Sequence, residues 1–193
     1  PFYDQLTSGR GTAKGIDLIA RKNIGKITGH ISYSLLWSDR KFAEKNHGMK
    51  FPSKFDNRHK INILINWRIN DKWEVNASWT GMSGNMFTFS TQDYDILPDD
   101  KLPPFGDNYY DGYLDFIDGI NNYRLPFYHR LDLGANRHTH NGMWTFSLYN
   151  AYCNMNTIAL RKTFEFDGYG TTKIFQRLHL IPIIPSVSYT WFF

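Results

Sequence analysis

Apolar and polar residues alternate along this chain with a period of two, in segments about ten residues long, and helical spacing is hard to find. From Gly29 to Ser38, Ile31, Tyr33, Leu35 and Trp37 stand against His30, Ser32, Ser34, Leu36 and Ser38. Successive side chains of a strand point to opposite faces of a sheet, so these are two faces. A third segment sets Ile61, Ile63, Ile65, Trp67 and Ile69 against Lys60, Asn62, Leu64, Asn66 and Arg68, and a fourth sets Trp73, Val75, Ala77 and Trp79 against Glu74, Asn76, Ser78 and Thr80. Weaker alternation runs through Ile16, Leu18 and Ala20, through Leu131, Leu133 and Ala135, and through Trp144, Phe146 and Leu148. The last segment carries Val187, Tyr189, Trp191 and Phe193 on one side and Ser186, Ser188, Thr190 and Phe192 on the other. The pattern predicts seven antiparallel strands.

Turn chemistry places short connections at Asn23 to Lys26, Asn70 to Lys72 and Thr139 to Gly142. Long ones are expected at about 39 to 58, 84 to 127 and 155 to 173. Short turns on one side and long loops on the other are the habit of outer-membrane barrels, with the long loops outside. On that reading the first strand runs inward and the seventh ends on the periplasmic side. Seven strands that begin outside leave an odd count where a complete barrel needs an even one, so the expectation is the C-terminal part of a larger barrel. The chain starts at Pro1 without a methionine, a basic n-region or an apolar h-region, so no targeting segment is visible in it, and either processing or a longer parent chain is expected.

Composition sharpens the class. Aromatic residues make up 17% of the 193 positions, yet mean hydropathy is only -0.48, so apolar groups are dispersed among polar ones. No run approaches the roughly 18 apolar residues of a membrane helix, which leaves a closed sheet as the way to span a bilayer. All six tryptophans, at 37, 67, 73, 79, 144 and 191, fall on the apolar face of their segment, as interfacial anchors do. A soluble sugar-binding sandwich would also alternate. Its outer face should carry Lys and Glu, however, and here the polar face is mostly Ser, Thr, Asn and His. A small self-contained eight-stranded barrel with a structural or adhesive role is the other rival, and it needs a further strand at Lys173 to Leu180. Cys153 is the single cysteine and excludes an internal disulfide.

Net charge is +4, but Asp93 to Asp118 holds eight Asp and one Lys, so the remainder of the chain is strongly basic without any dense Lys/Arg run. A nucleic-acid partner is therefore not expected. Arg58, His59, His129 and Arg130 sit where strands leave the long loops and are candidate ligand contacts at a lumen or rim. The acidic loop adds Tyr94, Asp95, Tyr109, Tyr110 and Tyr113, which could stack on a sugar or hold a chelate. Asp107, Asp111, Gly112 and Asp118 fall at positions of a calcium loop, but Tyr109 and Asp118 break its pattern. His138 and His140 share a face beside a turn and make a poor metal pair. No nucleophile elbow, zinc-protease helix or phosphate loop is present, so neither catalysis nor a cofactor is expected.

Several stretches in order are similar to late barrel strands of TonB-dependent outer-membrane receptors of the type common in Bacteroidota: Gly9 to Leu18, Gly25 to Ser34, Arg40-Lys41-Phe42, Phe51-Pro52 with Phe55-Asp56-Asn57-Arg58-His59, Ser83-Gly84-Asn85, Arg124 to Leu133, Ser147 to Ala151 and Pro182 to Phe193. Ala151-Tyr152-Cys153-Asn154 differs from the more apolar Asn-Leu-Phe-Asn usual there. The resemblance implies that residues 1–193 form the end of a barrel of about 22 strands, with the plug outside this chain. It also implies energy-coupled import of a scarce bulky solute such as a siderophore, glycan or peptide. The implied partners are outer-membrane lipid, the TonB complex acting through the plug, the barrel-assembly machinery and a surface lipoprotein. Tyr189, Trp191 and Phe193 would then be part of the signal read by the assembly machinery.

Overall fold

A computed structural model describes residues 7–90, 92–95, 113–166, 168, 171–179 and 181–193. The strands in chain order are β1 (Gly9–Lys22), β2 (Ile27–Phe42), β3 (Phe51–Pro52), β4 (His59–Arg68), β5 (Trp73–Met82), β6 (Met86–Phe87), β7 (Gln92–Asp95), β8 (Tyr113–Phe116), β9 (Tyr123–Arg124), β10 (Tyr128–Thr139), β11 (Gly142–Tyr149), β12 (Thr157–Phe166), β13 (Thr171–His179) and β14 (Ile184–Trp191). The fold is all-β. Seven of these strands, β1, β2, β4, β5, β10, β11 and β14, pair in that order as one antiparallel meander, with β3 added beside the C-terminal end of β2. They coincide with the seven alternating segments, and the connections at 23–26, 69–72 and 140–141 are the short ones.

Two of the expected long loops are built as hairpins. The connection from β5 to β10 carries the pairs β6–β9 and β7–β8, and the connection from β11 to β14 is the hairpin β12–β13. Lys173 to Leu180, the further strand that a small eight-stranded barrel needs, therefore falls largely within β13, which pairs with β12 and lies outside the main sheet. That alternative also needs Pro182 to Pro185 as a turn, whereas Pro185 lies in β14 opposite Leu148.

Register carries the period-two pattern across the sheet. Ala20, Ile31, Ile63, Trp79 and Leu131 form one continuous row on β1, β2, β4, β5 and β10. On the opposite face Ser32, Asn62, Thr80 and Arg130 form another. There the Asn62 amide donates to Ser32 Oγ at 3.3 Å and accepts from Thr80 Oγ1 at 3.2 Å, a side-chain ladder that holds the register. A slip by one residue would exchange the two faces entirely.

Among the described residues nothing covers the apolar face. Leu18 is 61% exposed at one end of the sheet and Val187 60% at the other, and Ile31, Ile65, Leu133 and Phe146 between them are exposed as well. Among the described residues the buried apolar side chains are Phe51, Met86 and Leu125, all at the end where the long connections leave. A water-soluble sheet buries one face against a second layer. This one does not, and its stability in water would lack the usual apolar contribution.

Candidate functional site: the rim at the loop end

Two polar knots hold the bases of the long connections. Asp56 has no solvent exposure, although it lies in the connection between β3 and β4. Its Oδ2 accepts from Arg124 at 2.7 Å and from Arg58 at 2.9 Å, and its Oδ1 accepts from the Ser38 amide at 2.9 Å. Arg124 also donates to the Asp56 carbonyl and to the Gly84 carbonyl. Burial pushes the Asp56 carboxyl up, but the two guanidinium groups and the amide outweigh it and hold the group below its ordinary value. Asn57 completes the knot by donating to the Ser83 carbonyl and to Asn85 Oδ1, both at 2.8 Å. Residues from two connections and from β2 are thereby clamped around one carboxylate, beside the buried Phe51, Met86 and Leu125.

The second knot is made of asparagines. Asn150 closes β11 with a positive φ of 52°, a conformation that Asn tolerates better than most residues. Its amide N–H donates to Asp132 Oδ1 at 2.9 Å, and its side chain donates to the carbonyls of Asn154 and Pro182 at 3.0 and 3.1 Å. Asn156 pairs with both backbone groups of His129, at 2.9 and 2.8 Å. The ends of β10, β11 and β14 are tied together through these amides.

Of the expected ligand contacts, Arg58 belongs to the Asp56 knot and lies over the Trp37 ring at 5.3 Å. Arg130 is held by Asp132 at 2.8 Å and by Tyr149 at 2.8 Å, facing the polar side. By register His59 and His129 stand on the apolar face instead, where His59 pairs with the Tyr33 hydroxyl and His129 with the Tyr152 hydroxyl, each at 2.8 Å. The four residues therefore divide between the two faces and do not converge on one point. Tyr113 begins β8 and Tyr94 and Asp95 lie in β7 opposite it. Tyr109, Tyr110, Asp107, Asp111 and Gly112 lie outside the described residues. His138 Nε2 is 3.7 Å from Glu74, and among the described residues no three His, Cys, Asp or Glu side chains gather as a metal site. Tyr189 and Trp191 share the apolar face of β14; Phe192 continues the pairing through its amide to the Asn141 carbonyl at 3.0 Å, and Phe193 lies beyond the strand.

The rim also holds an aromatic cluster that the alternation does not announce. Where the two hairpin extensions meet, Phe89 packs on Phe175 with ring centroids 4.5 Å apart and on Tyr123 at 5.5 Å. A cleft of about 180 Å³ opens there, lined by Phe87, Ile117 and Leu160 as well. The Asp-Gly pair at 167 and 168 was the local sequence sign of the hairpin that supplies Phe175. At the opposite, short-turn end, the polar face has a concavity of about 450 Å³ lined by Thr28, Asn66, Asn76, Asn136 and the Arg68–Glu74 ion pair.

Comparison with protein-family models, with curated proteins and with solved structures gives no match to this chain.

Proposed function

We propose that this chain is a seven-stranded segment of an outer-membrane β-barrel, the C-terminal part of a TonB-dependent receptor that imports a scarce, bulky solute. The observation that carries the barrel reading is the uncovered apolar face: seven strands in register expose Ile, Leu, Val and Trp on one side and Ser, Thr and Asn on the other, with no second layer on either among the described residues. Hydrocarbon is the environment in which such a face is stable, and closure is what removes the sheet's edges. Strands β4 and β5, ten residues each, have the length that a tilted strand needs to cross a bilayer. At the short-turn end Trp73, Arg137, Trp144 and Tyr189 form one row across four strands, with Arg137 5.7 Å from the Trp73 ring and Trp144 4.8 Å from Tyr189. At the loop end Tyr33, His59, Trp79, Phe127, His129 and Tyr152 make the corresponding aromatic level. Two such levels bracketing an aliphatic band are what interfacial anchoring requires.

The receptor reading is supported by the ordered resemblance, and the segments that carry it meet in the fold: Phe55 to His59, Ser83 to Asn85 and Arg124 are the parts of the Asp56 knot. A rigid rim with an aromatic cleft between loop hairpins suits capture of a solute from outside, and the amide-rich concavity on the polar face offers partners to a plug. The test is physiological. Cells lacking the gene should lose energy-dependent uptake of one scarce nutrient among candidate siderophores, glycans and peptides, with the protein recovered in the outer-membrane fraction. Recovery in the soluble fraction without detergent would reject the barrel, and unimpaired uptake of every candidate would reject the receptor role.

A further inference from the structure

On the apolar face the backbone of β2 lies so close to β4 at Gly29 that a Cβ there would stand 2.0 Å from the Leu64 carbonyl oxygen. No side chain can occupy the position, and a hollow of about 320 Å³ remains in the sheet surface, walled by Ala20, Ile27, Ile31, Ile63 and Ile65. A cation borders it. Lys22 is directly opposite Gly29 in the β1–β2 register and, by alternation, on the same face as Ala20. Arg21 and His30 also border it but alternate onto the opposite face, and no Asp or Glu lines it. Gly29 is two residues from the start of β2, about 7 Å from the short-turn end of the strand. The hollow therefore lies at the depth where an acyl chain leaves its glycerol, and a lysine stem of that length carries its ammonium outward to the headgroup level.

We propose that this hollow is a binding site for one anionic phospholipid of the inner leaflet, which lays the upper part of an acyl chain over Gly29 and sets its phosphate against Lys22. The proposal rests on the membrane-barrel reading and adds a specific lipid to it. Shape supplies the tail site, because the missing side chain leaves a cavity that bulk lipid would otherwise fill loosely. Charge supplies the selectivity, because Lys22 stands on the face of the hollow and no Asp or Glu lines it.

The experiment is native mass spectrometry of the intact protein from nanodiscs of phosphatidylcholine containing a minor share of phosphatidylglycerol. The wild type should retain phosphatidylglycerol in preference to phosphatidylcholine. Lys22→Gln should lower that retention about fivefold. Ala20→Phe, which fills the hollow from an exposed position, should lower it without touching any charge. Lys14→Gln, on the same face of β1 toward its other end, should leave it unchanged. Insertion with equal retention in the wild type and both hollow variants, or with no preference for the anionic lipid, overturns the site and leaves the barrel standing. Failure of the protein to enter discs at all overturns the barrel reading and the site together.

Discussion

A carboxylate with no solvent contact, such as Asp56, persists only because its partners outweigh its desolvation. Asp56→Asn keeps the volume and removes the charge, so the bonds to Arg58 and Arg124 lose their ionic character. About 2 kcal/mol of local stability should go with them, since both arginines are partly exposed and regain water. The sign with pH follows from the depressed value. Stability from this group is complete above the ordinary carboxylate range and is lost as pH falls through the lowered value of the folded protein. Limited proteolysis of the 43–58 and 83–127 connections should thus accelerate in acid for the wild type, whereas Asp56→Asn should start fast and stay flat. A variant that kept the wild-type acid response would show that another group governs the rim. The two faces offer a second residue-scale comparison. Ile63→Arg, near the centre of β4, should cost about 2–4 kcal/mol in denaturant unfolding of the intact protein in bilayers, and Asn62→Arg on the polar face well under half of that. Equal costs would remove the inside-outside assignment.

At the scale of elements, the seven sheet strands were readable because each repeats one local rule, apolar then polar, for long enough to outweigh chance. Ile61 through Ile69 is the plainest case, and its strand, β4, falls where the alternation puts it. The hairpins within the long connections were not readable in the same way. Strands β6 and β9 are two residues each and join positions 38 apart, so no local period announces them. The rim follows the same logic. Arg124 reaches Asp56 across 68 positions, and neither residue stands out from its neighbours until the fold brings them together. His59 and His129 fall at strand ends, which the alternation shows, but their facing depends on register, which only pairing fixes. The difference between short turns and hairpin-built connections leads to a prediction on whole cells. Added protease should cut within the 84–127 connection and spare Asn70 to Lys72, read by mass spectrometry of the fragments. Cuts confined to the short turns would place those turns outside and invert the topology.

The whole sheet is open, and its strand directions restrict how it can close. Seven antiparallel strands in sequence leave β1 and β14 running the same way, each with one edge unpaired among the described residues. They cannot join each other by antiparallel pairing. A second copy in the same membrane orientation does not help, because its β1 and β14 point in that same direction too. Closure by antiparallel pairs needs an odd number of further strands between the two edges, which fits a barrel of which this is one part. Residues 9–193 expressed alone should therefore fail to form a closed monomeric barrel in detergent. Both edges would remain available for pairing, and β14 presents an apolar face along its whole length, so association into heterogeneous aggregates is the expected outcome. Size-exclusion chromatography with light scattering reads this directly. A homogeneous monomer that resists unfolding in detergent until heated would mean that the sheet closes by itself, with β1 and β14 joined as a parallel pair.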